Sequence, residues 1–373
     1  MNTDYLSRRG FARAAGLAAM GRLWTESALA QRAVVGGKAP PDTVWLNANE
    51  NPSGPGEAAI AAMKEAMATA GRYHYQEWGD HCAAIGRSLG IGSEQVILGS
   101  GSSEVLCAAV HAFTSASRPL IYIEPTFELP VSLARALGRK AIPVPLTASY
   151  AADVKRLRQE AVNAGGGLIY LCNPNNPTSS ITPKADLDWL ANSLPPNTVA
   201  LVDEAYIHFS TSPRLASALD HVKAGRSVVV SRTFSKIYGM AGLRVGFGCA
   251  KRELIREMAP FPAGVISWVS IRAALAALED PRMVPERQAR YIRIRADLCK
   301  WLDGQGFRYL EPHANFMMID TRRNVRTVIP RMVERGVAPG RPFPPLDNML
   351  RVTIGTETEM DKFKKVFLEV MKA

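Results

Sequence analysis

Short apolar runs alternate along this chain with helix-length segments whose apolar positions recur every three or four residues. The first clear unit is QVILGSGSSEVLCAAVHAFTS (95–115), a short strand, a glycine turn and an apolar-periodic helix. PLIYIEP (119–125), KAIPVPL (140–146), GGGLIYLC (165–172), TVALVDEAYIHF (198–209), RSVVVSRTF (226–234) and LRVGFGCA (243–250) read as further strands. Helical patterns occupy Glu57 to Ala70, HCAAIGRSLG (81–90), FELPVSLARALG (127–138), the region leading to Asn163, and PKADLDWLANSL (183–194). Strands separated by helices predict a largely parallel sheet covered on both faces. A long charged helix, ERQARYIRIRADLCKWLDGQG (286–306), precedes FMMID, a helix, MLRVTIG and a final helix. That tail predicts a smaller α/β domain. The pattern divides the chain into an arm (31–60), a large domain (61–285) and a small C-terminal domain (286–373), after a leading segment (1–30).

The 373 residues carry 45 Lys and Arg against 34 Asp and Glu, a formal net charge of +11. The basic residues are scattered, and no zinc-finger spacing or RNA-binding aromatic motif accompanies them, so the charge does not predict nucleic-acid binding. No apolar run reaches the about 18 residues that a membrane-spanning helix needs. The five cysteines form no CxxC pair and predict neither a disulfide framework nor a metal site; Cys107 and Cys172 read as buried thiols. The leading segment SRRGFARAAGLAAMG pairs Arg8 and Arg9 with a short Ala-rich stretch, and ALAQ follows. This is the pattern of a twin-arginine export signal cleaved near Ala30, which predicts a periplasmic or exported protein. The alternative is a basic amphipathic helix on a cytoplasmic protein, and Arg22, which interrupts the apolar run, favours it.

The candidate chemistry falls at the carboxyl ends of predicted strands, where parallel α/β sheets hold their ligands. Gly101, Ser102 and Ser103 lie between a strand and a helix, where free N–H groups and hydroxyls can hold a phosphate. Asp203 ends a strand that reads as buried, where a carboxylate needs a partner: a protonated ring nitrogen, a local cation or a metal. No histidine cluster supports the metal. Tyr206 and Asn176 can each donate to a phenolate oxygen, although Asn176 also fits a simple Asx turn. Phe127 offers a flat ring for stacking, or a core side chain. In SRTFSKIYGMAGLRVGF, Lys236 supplies an amine while Thr233, Ser235 and Arg244 can complete a phosphate cradle. GxxxxGK and GxGxxG are both absent, so neither Walker nor Rossmann phosphate binding applies. An amine for a Schiff base, an acid for a ring nitrogen, donors for a ring oxygen and a phosphate cup together describe pyridoxal 5′-phosphate.

The ordered set WLNANENPSGP, RYHY, GSGSSE, PTF, NPNNPT, DEAY, SRTFSK, AGLRVGF and LRVTIGT, between about residues 45 and 356, resembles the fold-type I pyridoxal-phosphate aminotransferases in their histidinol-phosphate aminotransferase branch. The resemblance implies a mostly parallel seven-stranded sheet with a smaller α/β domain, and amino transfer from an amino acid or amino phosphate to a 2-oxo acid. By the same resemblance Lys236 carries the cofactor and shuttles the proton, Asp203 pairs with the ring nitrogen, Tyr206 and Asn176 hold the ring oxygen, and Phe127 stacks. Ser102, Ser103, Thr233, Ser235 and Arg244 surround the phosphate. Tyr73 reaches the phosphate of a second subunit in a homodimer, Arg351 clamps the substrate carboxylate, and Asn49 lies near the substrate. A decarboxylase of the threonine-phosphate type shares these features and is the alternative; a non-catalytic relative would be expected to lose Lys236 or Asp203. Three departures count against histidinol phosphate as the substrate. Ser179 replaces the glycine after NNPT, which is tolerable if its backbone is not left-handed. No tyrosine occurs between Tyr5 and Tyr73. GVAPGRPF displaces the family arginine to Arg341, where it can still meet an anionic side chain.

Overall fold

The computed structural model of the protein describes residues 39–262 and 264–372. The export-signal expectation, the cleavage site at Ala30 and the first part of the arm, residues 31–38, therefore lie outside the described residues. Strands β1 (Val44–Leu46) to β11 (Met349–Thr353) form three sheets. The central one contains β2 (Val96–Gly99), β3 (Leu120–Glu124), β4 (Ala141–Pro145), β5 (Gly167–Cys172), β6 (Thr198–Asp203), β7 (Val228–Thr233) and β8 (Gly246–Ala250). Their order is β2-β8-β7-β6-β5-β3-β4, and β8 alone runs against the others.

β5, β6 and the first half of β7 are buried at every position, which is why they read as continuous apolar runs rather than alternating ones. Leu168, Ile169, Leu171, Val202, Val229 and Val230 fill the middle of this core between the covering helices. The register places Cys172, Asp203 and Ser231 side by side at the carboxyl edge. The segments that leave this edge carry Phe127, Asn176, Tyr206 and Lys236, so one line of strand ends presents most of the candidate chemistry.

The two small sheets join distant parts of the chain. β1 pairs in parallel with β10 (Val337–Pro339), and β11 pairs antiparallel with β9 (Phe316–Asp320). The Gly340 amide donates to the Arg351 carbonyl at 2.8 Å and ties the two sheets together. Arg351 thereby sits on β11 between Leu350 and Val352, both buried.

Several expectations shift. The strand expected through Phe209 stops at Asp203 and gives way to a short 3-10 turn, Ile207–Phe209. The helix expected to Ala70 ends at Met67. Helices Arg252–Met258 and Trp268–Glu279 have no counterpart in the sequence reading. Cys107 is half-buried rather than buried, because it sits on one side of the helix Ser102–Phe113; Cys172 is fully buried. All five cysteines are free thiols.

Ser179 is the clearest correction. Its φ is +60°, in the left-handed region that serine normally avoids. Its hydroxyl compensates by accepting the amides of His313 (3.0 Å) and Ala314 (2.9 Å), both buried. A glycine would adopt the angle more easily and leave the Ala314 amide without that acceptor, while the His313 amide keeps the Ser179 carbonyl at 2.9 Å.

Candidate active site

A cavity of about 170 Å³ opens at the carboxyl edge of the central sheet. Ser102, Ser103, Phe127, Asp203, Tyr206, Thr233, Ser235, Lys236 and Arg244 all line it. These residues span more than a hundred positions of sequence and meet only because five strands end on one side.

At one end lies an anion cup. The helix Ser102–Phe113 begins there, and Gly101 precedes it with φ +73°. A Cβ on Gly101 would lie 2.3 Å from Nη2 of Arg244, and one on Gly246 would lie 2.2 Å from the Ser102 amide nitrogen. Both glycines are therefore needed for the close approach of backbone and guanidinium. Arg244 itself adopts a left-handed φ of +55° and donates from Nη1 to Ser235 Oγ at 3.2 Å. Thr233 Oγ1 donates to Ser235 Oγ at 2.9 Å. Unpaired helix-start amides, three or four hydroxyls and a guanidinium form a donor set suited to a phosphate dianion.

At the other end Asp203 is almost completely buried. Burial raises its carboxyl to about 7, against the Ala205 amide and the Tyr170 hydroxyl, which both favour the charged form. Those two donors lie 3.2 Å and 3.4 Å away, and no ion pair to Asp203 occurs among the described residues. A buried carboxyl so weakly satisfied fits a cationic partner that is not part of the chain.

Between the two ends, Lys236 Nζ donates to the Ala48 carbonyl at 3.1 Å and lies 5.6 Å from the Tyr206 ring centre. Burial and then the charge of Arg351 lower its amine to about 8, so a sizeable neutral fraction exists near neutral pH. The Tyr206 hydroxyl accepts from Asn49 Nδ2 at 3.2 Å, and burial raises it further above its ordinary value. Phe127 is half-buried and walls the cavity rather than filling the core.

Arg351 reaches the site through Asn176. Its Nη1 donates to Asn176 Oδ1 at 2.8 Å and its Nη2 to the Asn47 carbonyl at 2.5 Å. Nε is buried without a hydrogen-bond partner, and both bonded acceptors are neutral. Burial lowers the guanidinium to about 10, still charged at neutral pH. Arg351 also lies 4.6 Å from the Phe343 ring centre and 5.6 Å from that of Phe316.

The remaining candidates are elsewhere. Tyr73 is 70% exposed, stacks on Tyr75 and borders a separate hollow with Val265 and Trp268. Arg341 is paired with Glu128 and packs over Phe343, so it is not a free cation awaiting an anion. The sequence reading missed Ala48, Glu50, Cys172 and Ala205 in the cavity wall, and Tyr170 behind Asp203. Only Tyr170 had a visible signal, a hydroxyl inside an otherwise apolar strand.

Comparison with known proteins settles the class. The sequence matches the family described as aminotransferase class I and II over residues 41–367. The chain belongs to this family. It is 33% identical over 342 residues to the histidinol-phosphate aminotransferase of Moorella thermoacetica, covering 88% of this chain and 86% of that one. It is 30% identical over 335 residues to the aromatic amino acid aminotransferase of Cutibacterium acnes, covering 89% and 93%. The histidinol-phosphate aminotransferase of Sinorhizobium meliloti, solved in complex with pyridoxal-5′-phosphate, superposes with a TM-score of 0.84 at 24% identity, covering 92% and 94%. The protein is a pyridoxal-phosphate-dependent aminotransferase, and its cup, buried acid and amine fit the parts of that cofactor.

Proposed function

We propose that this aminotransferase moves an amino group between a carboxylate-bearing amino acid or amino phosphate and a 2-oxo acid, with Lys236 as the reacting amine and proton carrier. The observation that carries the assignment is the placement of Lys236 and Asp203 on one cavity whose far end is an anion cup. When bound there, pyridoxal phosphate supplies an aldehyde for amine exchange and a cationic ring that accepts electrons.

The chain's own residues do the rest. Gly101, Ser102, Ser103, Thr233, Ser235 and Arg244 hold the phosphate. Asp203 keeps the ring nitrogen protonated, since a carboxylate beside it favours the charged ring. Tyr206 and Asn176 donate to the ring oxygen. Phe127 stacks and excludes water from one face. Lys236, with an amine near 8, releases and regains a proton at accessible pH. Arg351 holds the substrate carboxylate, and Asn49 positions Tyr206.

Borohydride treatment of the cofactor-loaded protein tests the assignment. A reduced adduct mapped to Lys236 is expected, together with amino transfer from an amino acid to pyruvate or 2-oxoglutarate. An adduct on another lysine, or carbon dioxide release without consumption of the 2-oxo acid, would overturn it.

The assembly is a homodimer with shared sites in this reading. Tyr73, Tyr75 and Val265 are large exposed apolar side chains, and Tyr73 is the residue that would cross to a neighbouring cup. Mixing Lys236→Ala and Tyr73→Ala subunits is expected to restore activity beyond either alone; no restoration speaks against sharing. Export rests on Arg8, Arg9 and ALAQ. Mature protein from the native cell envelope should begin near Gln31, whereas full-length chain confined to the cytosol would defeat export.

A further inference from the structure

Two arginines flank one ring beside the site. The Phe343 ring centre lies 4.6 Å from the Arg351 guanidinium carbon and 4.2 Å from that of Arg341. The two cations differ in what they hold. Arg351 is buried, with neutral acceptors and an unpartnered Nε. Arg341 is ion-paired with Glu128, whose side chain is half exposed. Glu128 directly follows Phe127, a wall of the cofactor cavity, and itself lines an adjoining cavity of about 270 Å³ with Glu124, Thr126, Arg135 and Phe343.

We propose that Glu128 is a specificity-determining residue that selects against substrates with a second acidic group. This deepens the assignment above and rests on Arg351 being the carboxylate clamp. Its physical basis is a difference in available charge. Arg351 offers one carboxylate a guanidinium with no ion-pair partner among the described residues, touched by Glu128 only at longer range. Among the described residues Arg341 is the other cation stacked on Phe343, and Glu128 neutralises it. A distal substrate carboxylate reaching Arg341 must displace Glu128 and then sit beside that displaced like charge. A neutral side chain meets no such competition and can rest against Phe343. The substrates favoured are therefore amino acids with one carboxylate and an uncharged side chain.

The test uses the cofactor-loaded full-length protein. Norvaline and glutamate are compared in the amino-donor half-reaction, and butyrate and succinate as unreactive ligands by calorimetry. The native protein should prefer norvaline to glutamate. In Glu128→Gln the glutamate-to-norvaline ratio of kcat/KM should rise at least about tenfold, with a parallel rise in succinate over butyrate affinity. Adding Arg341→Met to Glu128→Gln should erase that gain, because the freed guanidinium is what the second acid meets. An unchanged or falling ratio in Glu128→Gln overturns the proposal, as does a gain that survives Arg341→Met. If Glu128→Gln does not fold, Arg341→Met alone decides. It should lower the succinate-to-butyrate affinity ratio, since Glu128 then loses its counter-charge and repels a second acid, and an unchanged ratio overturns the proposal. Failure of both amino acids to react would count against the aminotransferase assignment. The succinate and butyrate affinities would still decide the role of Glu128.

Discussion

The guanidinium of Arg351 donates to Oδ1 of Asn176 at 2.8 Å, joining residues 175 positions apart in sequence. Arginine can only donate, so this bond fixes the amide: Oδ1 faces Arg351, and Nδ2 is turned away from it. Asn176 is thereby committed as a donor toward the opposite side. One side chain orients both a cofactor contact and, through Arg351, the substrate clamp.

Replacing Arg351 by lysine tests that coupling. Lysine keeps the charge but cannot span Asn176, the Asn47 carbonyl and a substrate carboxylate at once. A fall of about 10²-fold to 10³-fold in kcat/KM for carboxylate substrates is expected, with a raised KM. Cofactor affinity should change much less. Steady-state kinetics and a cofactor titration separate the two, and equal losses in both would contradict the clamp.

Lys236→Ala should abolish turnover while the cofactor still binds through the cup and Asp203. Absorbance and equilibrium dialysis read the binding; borohydride should trap no adduct. Turnover near the native level would remove Lys236 from its role.

Asp203 makes the cofactor-free protein sensitive to pH. Its folded carboxyl lies near 7, against an ordinary value of 3.8. Between those values the folded chain keeps a proton that the unfolded chain has released, so stability falls as pH rises from about 4 to about 7, by up to about 4 kcal/mol. Lys236 acts in a different window. Its folded amine lies near 8 against 10.5, so the unfolded chain binds more protons between those values and stability recovers as pH rises through them. Urea midpoints across this range should show a minimum near pH 7 to 8. Asp203→Asn should flatten the acidic limb and leave the alkaline one; an unaltered acidic limb refutes the assignment.

Ser179 gives a stability prediction with opposing terms. Glycine relieves left-handed strain of about 1 kcal/mol, yet removes the hydroxyl that accepts the buried Ala314 amide, costing about 1 kcal/mol or more; the His313 amide keeps the Ser179 carbonyl at 2.9 Å. Ser179→Gly should stay within about 1 kcal/mol of the native stability, and Ser179→Ala should be less stable than Ser179→Gly by about 1 kcal/mol, because alanine keeps the strain and also loses the acceptor. Denaturant titration of both variants checks the order, and a more stable alanine variant would contradict it.

The strands of the central sheet were legible because burial on both faces leaves uninterrupted apolar runs such as LIYLC and TVALV. The helices Arg252–Met258 and Trp268–Glu279 were not, since their short or Ala-rich patterns carry little periodic contrast. The cup and Lys236 were found because each directly follows a predicted strand, and Asp203 and Tyr206 because they follow the apolar run TVALV. Tyr170 and Glu128 were not, because their significance lies in a neighbour far away in the chain: Asp203 for one, Arg341 for the other.

The sequence by itself determined the alternation of strand and helix, and the reactive residue types at the strand ends, because backbone periodicity and residue chemistry are local properties. Only the tertiary structure decided which charges are spent and which remain available. Arg341 and Arg351 are the same residue type on neighbouring segments. Burial beside neutral acceptors leaves one cation with no ion-pair partner among the described residues, and contact with Glu128 neutralises the other. Such pairing depends on distance in space, and no local pattern encodes it.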